Sequence, residues 1–295
     1  MTNASRLSGI DKYNMFVYNK KLNITEDKME YAAAFVNAFA SGLFDGNTAA
    51  VVRVEEYPTS AEMLSVARLF GFSETAFLRR EAKTEYQIRW FTPEVEVALC
   101  GHATLASAGY LFASSEQDAD LISFHSLSGQ LMARRAGQQI ELDFPLDIPT
   151  PYQPEEAVLK ALGEVKSVET LFAAATRNLV IVLKTPAAVQ RMKPDFAALA
   201  ALKEQPYFGI AVTAATEEGY ICRYFAPWEG INEDPVTGSA QTFLAPYWAG
   251  VLGRNELQGY QASERGGKFS VRVQEKRLLL RGKVVVYLQG VLNLD

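Results

Sequence analysis

One stretch of this chain is written twice. Residues 89 to 112, RWFTPEVEVALCGHATLASAGYLF, and residues 223 to 248, RYFAPWEGINEDPVTGSAQTFLAPYW, share a frame in which Arg89, Phe91 and Pro93 recur 134 residues later as Arg223, Phe225 and Pro227. Each copy then crosses an acidic loop to Gly, a polar residue and Ala, Gly101-His102-Ala103 against Gly238-Ser239-Ala240. The offset there is 137 residues, so the second loop is three residues longer. A repeat this long in 295 residues predicts duplicated half-molecules rather than a solenoid of short units. Two like halves imply a cleft between them.

Composition narrows what that cleft can serve. With 48% hydrophobic and 21% charged residues the chain has enough apolar matter for one large core or two smaller ones. A net charge of −5, without a basic cluster larger than Arg79-Arg80 or Arg134-Arg135, argues against nucleic acid as a partner. Cys100 and Cys222 cannot form a disulfide framework, and no stretch has the length of a membrane span, so no membrane partner is expected and the cytoplasm is the expected compartment. His102 and His125, with no Cys-x-x-Cys, offer too few ligands for a zinc or iron site, so no metal is expected. No GxGxxG or GxxxxGK[ST] motif supports a nucleotide, and no cofactor is expected.

Periodicity places the elements. A strand is expected over YAAAFVNAF from Glu30, then a turn at Asp45-Gly46-Asn47 and a strand AAVVRV. Thr59 and Glu62 form a capping-box pattern, and Met63, Val66, Ala67 and Phe70 mark an amphipathic helix closed by Gly71. Glu74 therefore falls just beyond a helix C-terminus, at the mouth of strand AFLRR. The segment ATLASAGYLF is apolar on every face and predicts a helix wrapped by sheet. Residues 121 to 144 read as hairpin strands, and the proline-rich FPLDIPTPYQP as a stiff connection. The second half repeats the order, with a helix expected over DFAALAALKEQ and with Pro246 expected to kink or shorten the second central helix. The divisions expected are an N-terminal extension over 1–28, a first half over 29–145 and a second over 146–295, whose last strand can return to the first.

Chemistry concentrates at a few residues. Gly101-His102 and Gly238-Ser239 predict two helix starts pointing across one cleft, where free N–H groups would cradle a carboxylate substrate. Glu74, in the apolar stretch GFSETAFL, is a carboxyl whose pKa desolvation would raise into a range useful for moving protons. His102, in the first turn of an apolar helix, should be neutral and suited to a relay. Asp234 breaks the repeat, standing where Val97 or Ala98 falls in the first copy. The repeat partner of Cys100 is Thr237, so a two-thiol racemase would lack its second base.

GLFDGNTAAVV, FGFSETAFL, IRWFTPEVEVALCGHATLASAGYLF and RYFAPWEGINEDPVTGSA together resemble the phenazine biosynthesis PhzF-like family of isomerases and epimerase-like proteins, from about Glu30 to the C-terminus. The resemblance implies an α+β, diaminopimelate-epimerase-like fold of two similar halves, each a mixed sheet around a central helix, with a cofactor-free site in the cleft. It implies Glu74 as the proton-transfer base, with His102 and Asp234 assisting. Gly101, Gly238 and Ser239 would hold the substrate carboxylate, with Ser73 and Asn47 as further substrate contacts. It also implies a homodimer. Two residues depart from the family pattern: Thr48 replaces the proline of Gly-Asn-Pro, and Asn37 stands for an aspartate of the first strand. The expected activity is a cofactor-independent isomerase. The alternatives are an epimerase using Cys100 as a second base and a silent small-molecule-binding homologue.

Overall fold

The computed structural model describes residues 29–114, 118–163 and 166–294; the expected extension over 1–28 lies outside them. The first series of elements is β1 (Met29–Ala38), β2 (Asn47–Val54), α1 (Ser60–Phe70), β3 (Glu74–Arg80), β4 (Glu85–Phe91), β5 (Glu96–Val97), α2 (Gly101–Ala113), β6 (Leu121–Ser126), β7 (Gly129–Ala136) and β8 (Gln139–Pro145). The second is β9 (Thr150–Pro151), α3 (Glu156–Ala161), β10 (Ser167–Ala173), β11 (Asn178–Leu183), α4 (Pro186–Arg191), α5 (Phe196–Ala201), β12 (Gly209–Ala215), β13 (Gly219–Ala226), β14 (Ile231–Asp234), α6 (Gln241–Leu252), β15 (Glu256–Gln261), β16 (Gly267–Gln274) and β17 (Arg277–Gly282). The last strand is β18 (Val284–Leu294).

The duplication is visible in the pairing. β1/β2 antiparallel, β2/β3 parallel, β3/β4 antiparallel and β4/β6 parallel, followed by the antiparallel β6/β7 and β7/β8, make the first series. β10/β11, β11/β12, β12/β13, β13/β15, β15/β16 and β16/β17 repeat those directions in the same order. β8 pairs antiparallel with β17 and joins the two series. The final strand crosses back: β18 lies antiparallel on β1, with Met29 opposite Leu294.

Each series curls around one helix. α2 packs on β1, β2, β3, β7, β8 and β18, and every residue from Gly101 to Phe112 is buried, as an all-apolar helix without a solvent face requires. α6 packs on β13, β15, β16 and β17. One cluster of buried side chains runs through both, from Trp90, Leu105 and Phe124 to Phe243, Trp248 and Phe269. Burying each such side chain contributes about 1.5–3 kcal/mol. Smaller clusters seat the outer helices, α1 through Met63 on Val52 and Phe77, and α3 to α5 through Val158, Val189 and Leu199 on Ile210. No helix among the described residues is long and apolar enough to cross a membrane.

α1 has the ends its sequence specifies: the Thr59 and Glu62 side chains cap reciprocally, and Gly71 closes the helix at φ 68°. Three expectations need correction. Asn47 opens β2 instead of sitting in the turn. α5 stops at Ala201, short of the expected span. α6 begins at Gln241, three residues after Gly238, and runs through Pro246 to Leu252 without being cut short. Proline removes the N–H that would bond the carbonyl four residues back. That carbonyl, on Thr242, accepts instead from the Asp147 N–H of the connection between the two series, at 3.1 Å. The proline thus fastens the linker rather than breaking the helix.

Candidate active site

The two arginines that announce the repeat hold equivalent loops. Arg89 makes two parallel hydrogen bonds, both 2.7 Å, to the Glu96 carboxylate, and Arg223 does the same with Glu233 at 2.7 and 2.8 Å. Each guanidinium also lies over the phenylalanine two residues on, 5.2 Å from Phe91 and 5.0 Å from Phe225. These clamps fix the loops that deliver α2 and the turn before α6. The sequence reading saw the arginines but missed the glutamates, although Glu96 and Glu233 keep the 137-residue offset of the two glycines.

Those loops bring the two glycines into contact. A Cβ on Gly101 would lie 3.2 Å from the Gly238 Cα and 3.3 Å from the Ser239 nitrogen, and a Cβ on Gly238 would lie 3.3 Å from the Gly101 Cα. Neither glycine has a positive φ. Their identity is therefore set by backbone packed on backbone, rather than by turn geometry. The first N–H groups of a helix have no intrahelical acceptor, and this contact sets the start of α2 against the 238–240 turn. Ser239 is half-buried beside them, and neither its hydroxyl nor that of half-buried Ser73 makes a hydrogen bond among the described residues.

At the start of α2 three reactive side chains meet. Oε2 of Glu74, the first residue of β3, lies 3.2 Å from Nε2 of His102, the second residue of α2. Sγ of Cys100, at the helix N-cap, lies 3.5 Å from Nδ1 of the same ring. Although 14% of the Glu74 side chain meets solvent, Oε2 is buried, and neither it nor Nε2 has a hydrogen-bond partner apart from the other. Desolvation by burial, reinforced by the Asp234 carboxylate and opposed by a hydrogen bond from Cys100, pushes Glu74 up to about 8. Burial pushes the His102 imidazole down, with Asp234 pulling the other way. Near neutral pH the contact therefore joins an uncharged acid to an uncharged base, and it is no salt bridge. Burial, then the neighbouring Glu74, raises Cys100 well above the usual thiol range. Among the described residues, Glu74, Cys100 and His102 are also the group placed to hold a metal ion.

Asp234 comes from the second series and is gripped on every side. Oδ1 accepts from Asn47 Nδ2 at 2.8 Å, Oδ2 accepts from the Thr237 hydroxyl, and its backbone carbonyl accepts from Gln261 Nε2 at 2.8 Å. Gln261 also takes the Thr237 N–H at 2.9 Å. Asn47 therefore reaches from β2 to an acid of the other series and also donates to the Val236 carbonyl at 3.1 Å. Gln261 escaped the sequence reading because it lies in β15, outside every motif.

The register shows what the repeat has lost. Trp90 faces Val97 and Tyr224 faces Asp234, so Asp234 occupies the place of Val97. Thr75 faces Phe91 and Ile210 faces Phe225, so the counterpart of Glu74 is Gly209. A Cβ at Gly209 would come within 2.2 Å of the Tyr224 hydroxyl, which bonds Asn178 Oδ1 at 2.6 Å. The second series has no acid at that position. A separate concavity of about 1040 Å³, lined by Tyr31, Arg53, Tyr57 and Arg80 among others, opens at the opposite ends of β1 to β3 and contains none of these residues.

Comparison with known proteins places the architecture. The profile of a family described as phenazine biosynthesis-like protein matches residues 36–290. An uncharacterized isomerase of Pseudomonas aeruginosa is 39% identical over 90% of this chain and 100% of its own length. The crystal structure of a PhzF-family phenazine biosynthesis protein of Enterococcus faecalis superposes with a TM-score of 0.84 at 38% identity, covering 90% of this chain and 100% of that one. At 11% identity, a hydroxyproline epimerase of Agrobacterium vitis, with bound trans-4-hydroxy-L-proline, shares the fold with a TM-score of 0.59 over 90% of this chain and 93% of its own. The α+β epimerase-like architecture expected from the sequence is the one observed.

Proposed function

The chain belongs to the phenazine biosynthesis-like protein family, and from that premise we propose that it is a cofactor-independent isomerase moving a proton on a small carboxylate-bearing substrate. Glu74 in its carboxylate form takes a proton alpha or gamma to the substrate carboxylate and returns it elsewhere on the same molecule. His102 and Asp234 orient the acid or relay its proton. The N–H groups at Gly101, Gly238 and Ser239 bind the substrate carboxylate and stabilise the enolate-like charge, with Ser73 as a further substrate contact. Asn47 acts through its bond to Asp234.

One observation carries this reading: a carboxyl raised to about 8 has its buried oxygen 3.2 Å from a neutral imidazole, where the start of α2 meets the 238–240 turn. The asymmetry of the repeat favours one base over two. Gly209 replaces the acid on the second side, and Cys100 touches the same imidazole as Glu74, leaving no room for a substrate carbon between them. An epimerase would have needed its second base on the opposite face.

The test is solvent-deuterium wash-in, followed by NMR, over a panel of small amino, hydroxy and unsaturated acids. Wild type should label a substrate carbon, Glu74→Gln should lose at least ~10³-fold, and Cys100→Ala should keep the activity. Full exchange in Glu74→Gln would remove Glu74 as the base. Loss in Cys100→Ala with Glu74 intact would favour the epimerase, and binding without exchange would favour a silent homologue. Because abstraction needs the carboxylate, kcat/KM should climb with pH up to about 8 and then level off.

A further inference from the structure

The proton-transfer reading employs Glu74 and His102 but gives the Cys100 thiol beside them no task. Glu74, Cys100 and His102 each offer one ligating atom, and these atoms all lie within 4.8 Å of one another. Oε2 and Nε2 are buried 3.2 Å apart with no hydrogen-bond partner beyond each other, and His102 is only 5% exposed. Neighbouring ligands on a tetrahedral zinc, with bonds of about 2.0–2.2 Å, sit about 3.3–3.6 Å apart. The carboxylate and imidazole already stand close to that spacing, and the sulfur lies within 4.8 Å.

We propose that Glu74, Cys100 and His102 form a binding site for one zinc(II) ion, with the fourth coordination position facing the cleft. Carboxylate, thiolate and imidazole are the donor types this borderline-soft ion accepts, and three protein ligands with one open position is the arrangement of an accessible site rather than a sealed structural one. Binding releases the thiol proton, and the carboxyl proton where Glu74 carries one, to solvent. The Asp234 carboxylate, whose charge acts on all three groups, adds attraction for a dication. The N-terminal dipole of α2 opposes it. The affinity expected is therefore on the order of micromolar, weaker than a four-ligand structural site. A zinc ion occupying Oε2 and Nε2 denies Glu74 the substrate proton, so the metal is a reversible inhibitor; this consequence rests on the proton-transfer reading, whereas the binding does not.

Cobalt(II) titration of the full chain under a non-chelating reductant reads the site directly. Wild type and Cys222→Ser should bind one equivalent, with tetrahedral d–d bands and a near-ultraviolet sulfur-to-cobalt band, both displaced by zinc. Cys100→Ser should lose the sulfur band, and His102→Ala should weaken binding at least ~10-fold. Zinc-edge X-ray absorption of the wild type serves if the Cys100 variant does not fold, and it should show one sulfur among nitrogen and oxygen neighbours. A first shell without sulfur, or cobalt spectra unchanged in Cys100→Ser, would overturn the proposal. On the same preparation, deuterium exchange should stop with one equivalent of zinc and return with a chelator. A cobalt site without any exchange would remove the isomerase reading alone, and exchange without a cobalt site would remove the metal site alone.

Discussion

Burial of Glu74 ties the chemistry of one carboxyl to the stability of the whole chain. Unfolded, the group releases its proton near 4.5; folded, it keeps it up to about 8. Between those values the folded state binds more protons, so raising the pH through this window works against folding. The favourable neutral form is fully present below 4.5 and is lost as the pH passes 8. Glu74→Gln has no proton to lose. Its stability relative to wild type should be small near pH 5 and should grow to roughly 2–5 kcal/mol in its favour by pH 9. Urea denaturation of both proteins across that range measures it, and a constant difference would mean that the carboxyl is not desolvated. A variant more stable than wild type and unable to exchange deuterium would locate function in a costly residue.

The start of α2 and the 238–240 turn are the elements on which the site is built, and the contact between Gly101 and Gly238 sets their separation. Ala at Gly101 gains about 1 kcal/mol in helix propensity. Its Cβ, however, meets backbone at 3.2 and 3.3 Å, where no flexible side chain can yield. Gly101→Ala should change stability by no more than about 2 kcal/mol while cutting exchange by at least ~10-fold, because the cradle widens. Equal losses in Gly101→Ala and in a surface glycine such as Gly250→Ala would discount the contact. At this scale the sequence was informative where the signal was local. Thr59, Glu62 and Gly71 carry their own capping chemistry, so both ends of α1 were legible. α6 was harder, since Gly238 resembles Gly101 but three turn residues precede the helix, and the Thr242 carbonyl freed by Pro246 finds its partner nearly a hundred positions earlier, at Asp147. Gly209 could not be read at all, because its meaning is an acid withheld from a register position that only pairing defines.

Across the whole molecule, the duplication was legible because Arg89 and Arg223, with their following phenylalanines, keep their spacing, and both grip a glutamate. The joining of the two series was less so: β8 on β17 and β18 on β1 are pairings between distant segments with no motif to announce them. These long-range ladders make the fold one cooperative object. A chain stopped after Lys283 lacks β18, which covers one edge of β1 and one side of α2. It should lose near-ultraviolet circular dichroism and elute as aggregate, whereas a native, monodisperse product would show that the first series closes without it.

That returning strand also orders events during synthesis. α2, apolar all round, leaves the ribosome long before the last wall of its enclosure has been made, since β18 follows every other described strand. At translation rates of about 5–20 residues per second the interval is roughly ten seconds or more. Through that time an uncovered strand edge and a greasy helix must be shielded, which makes the nascent first half a natural client for ribosome-associated chaperones.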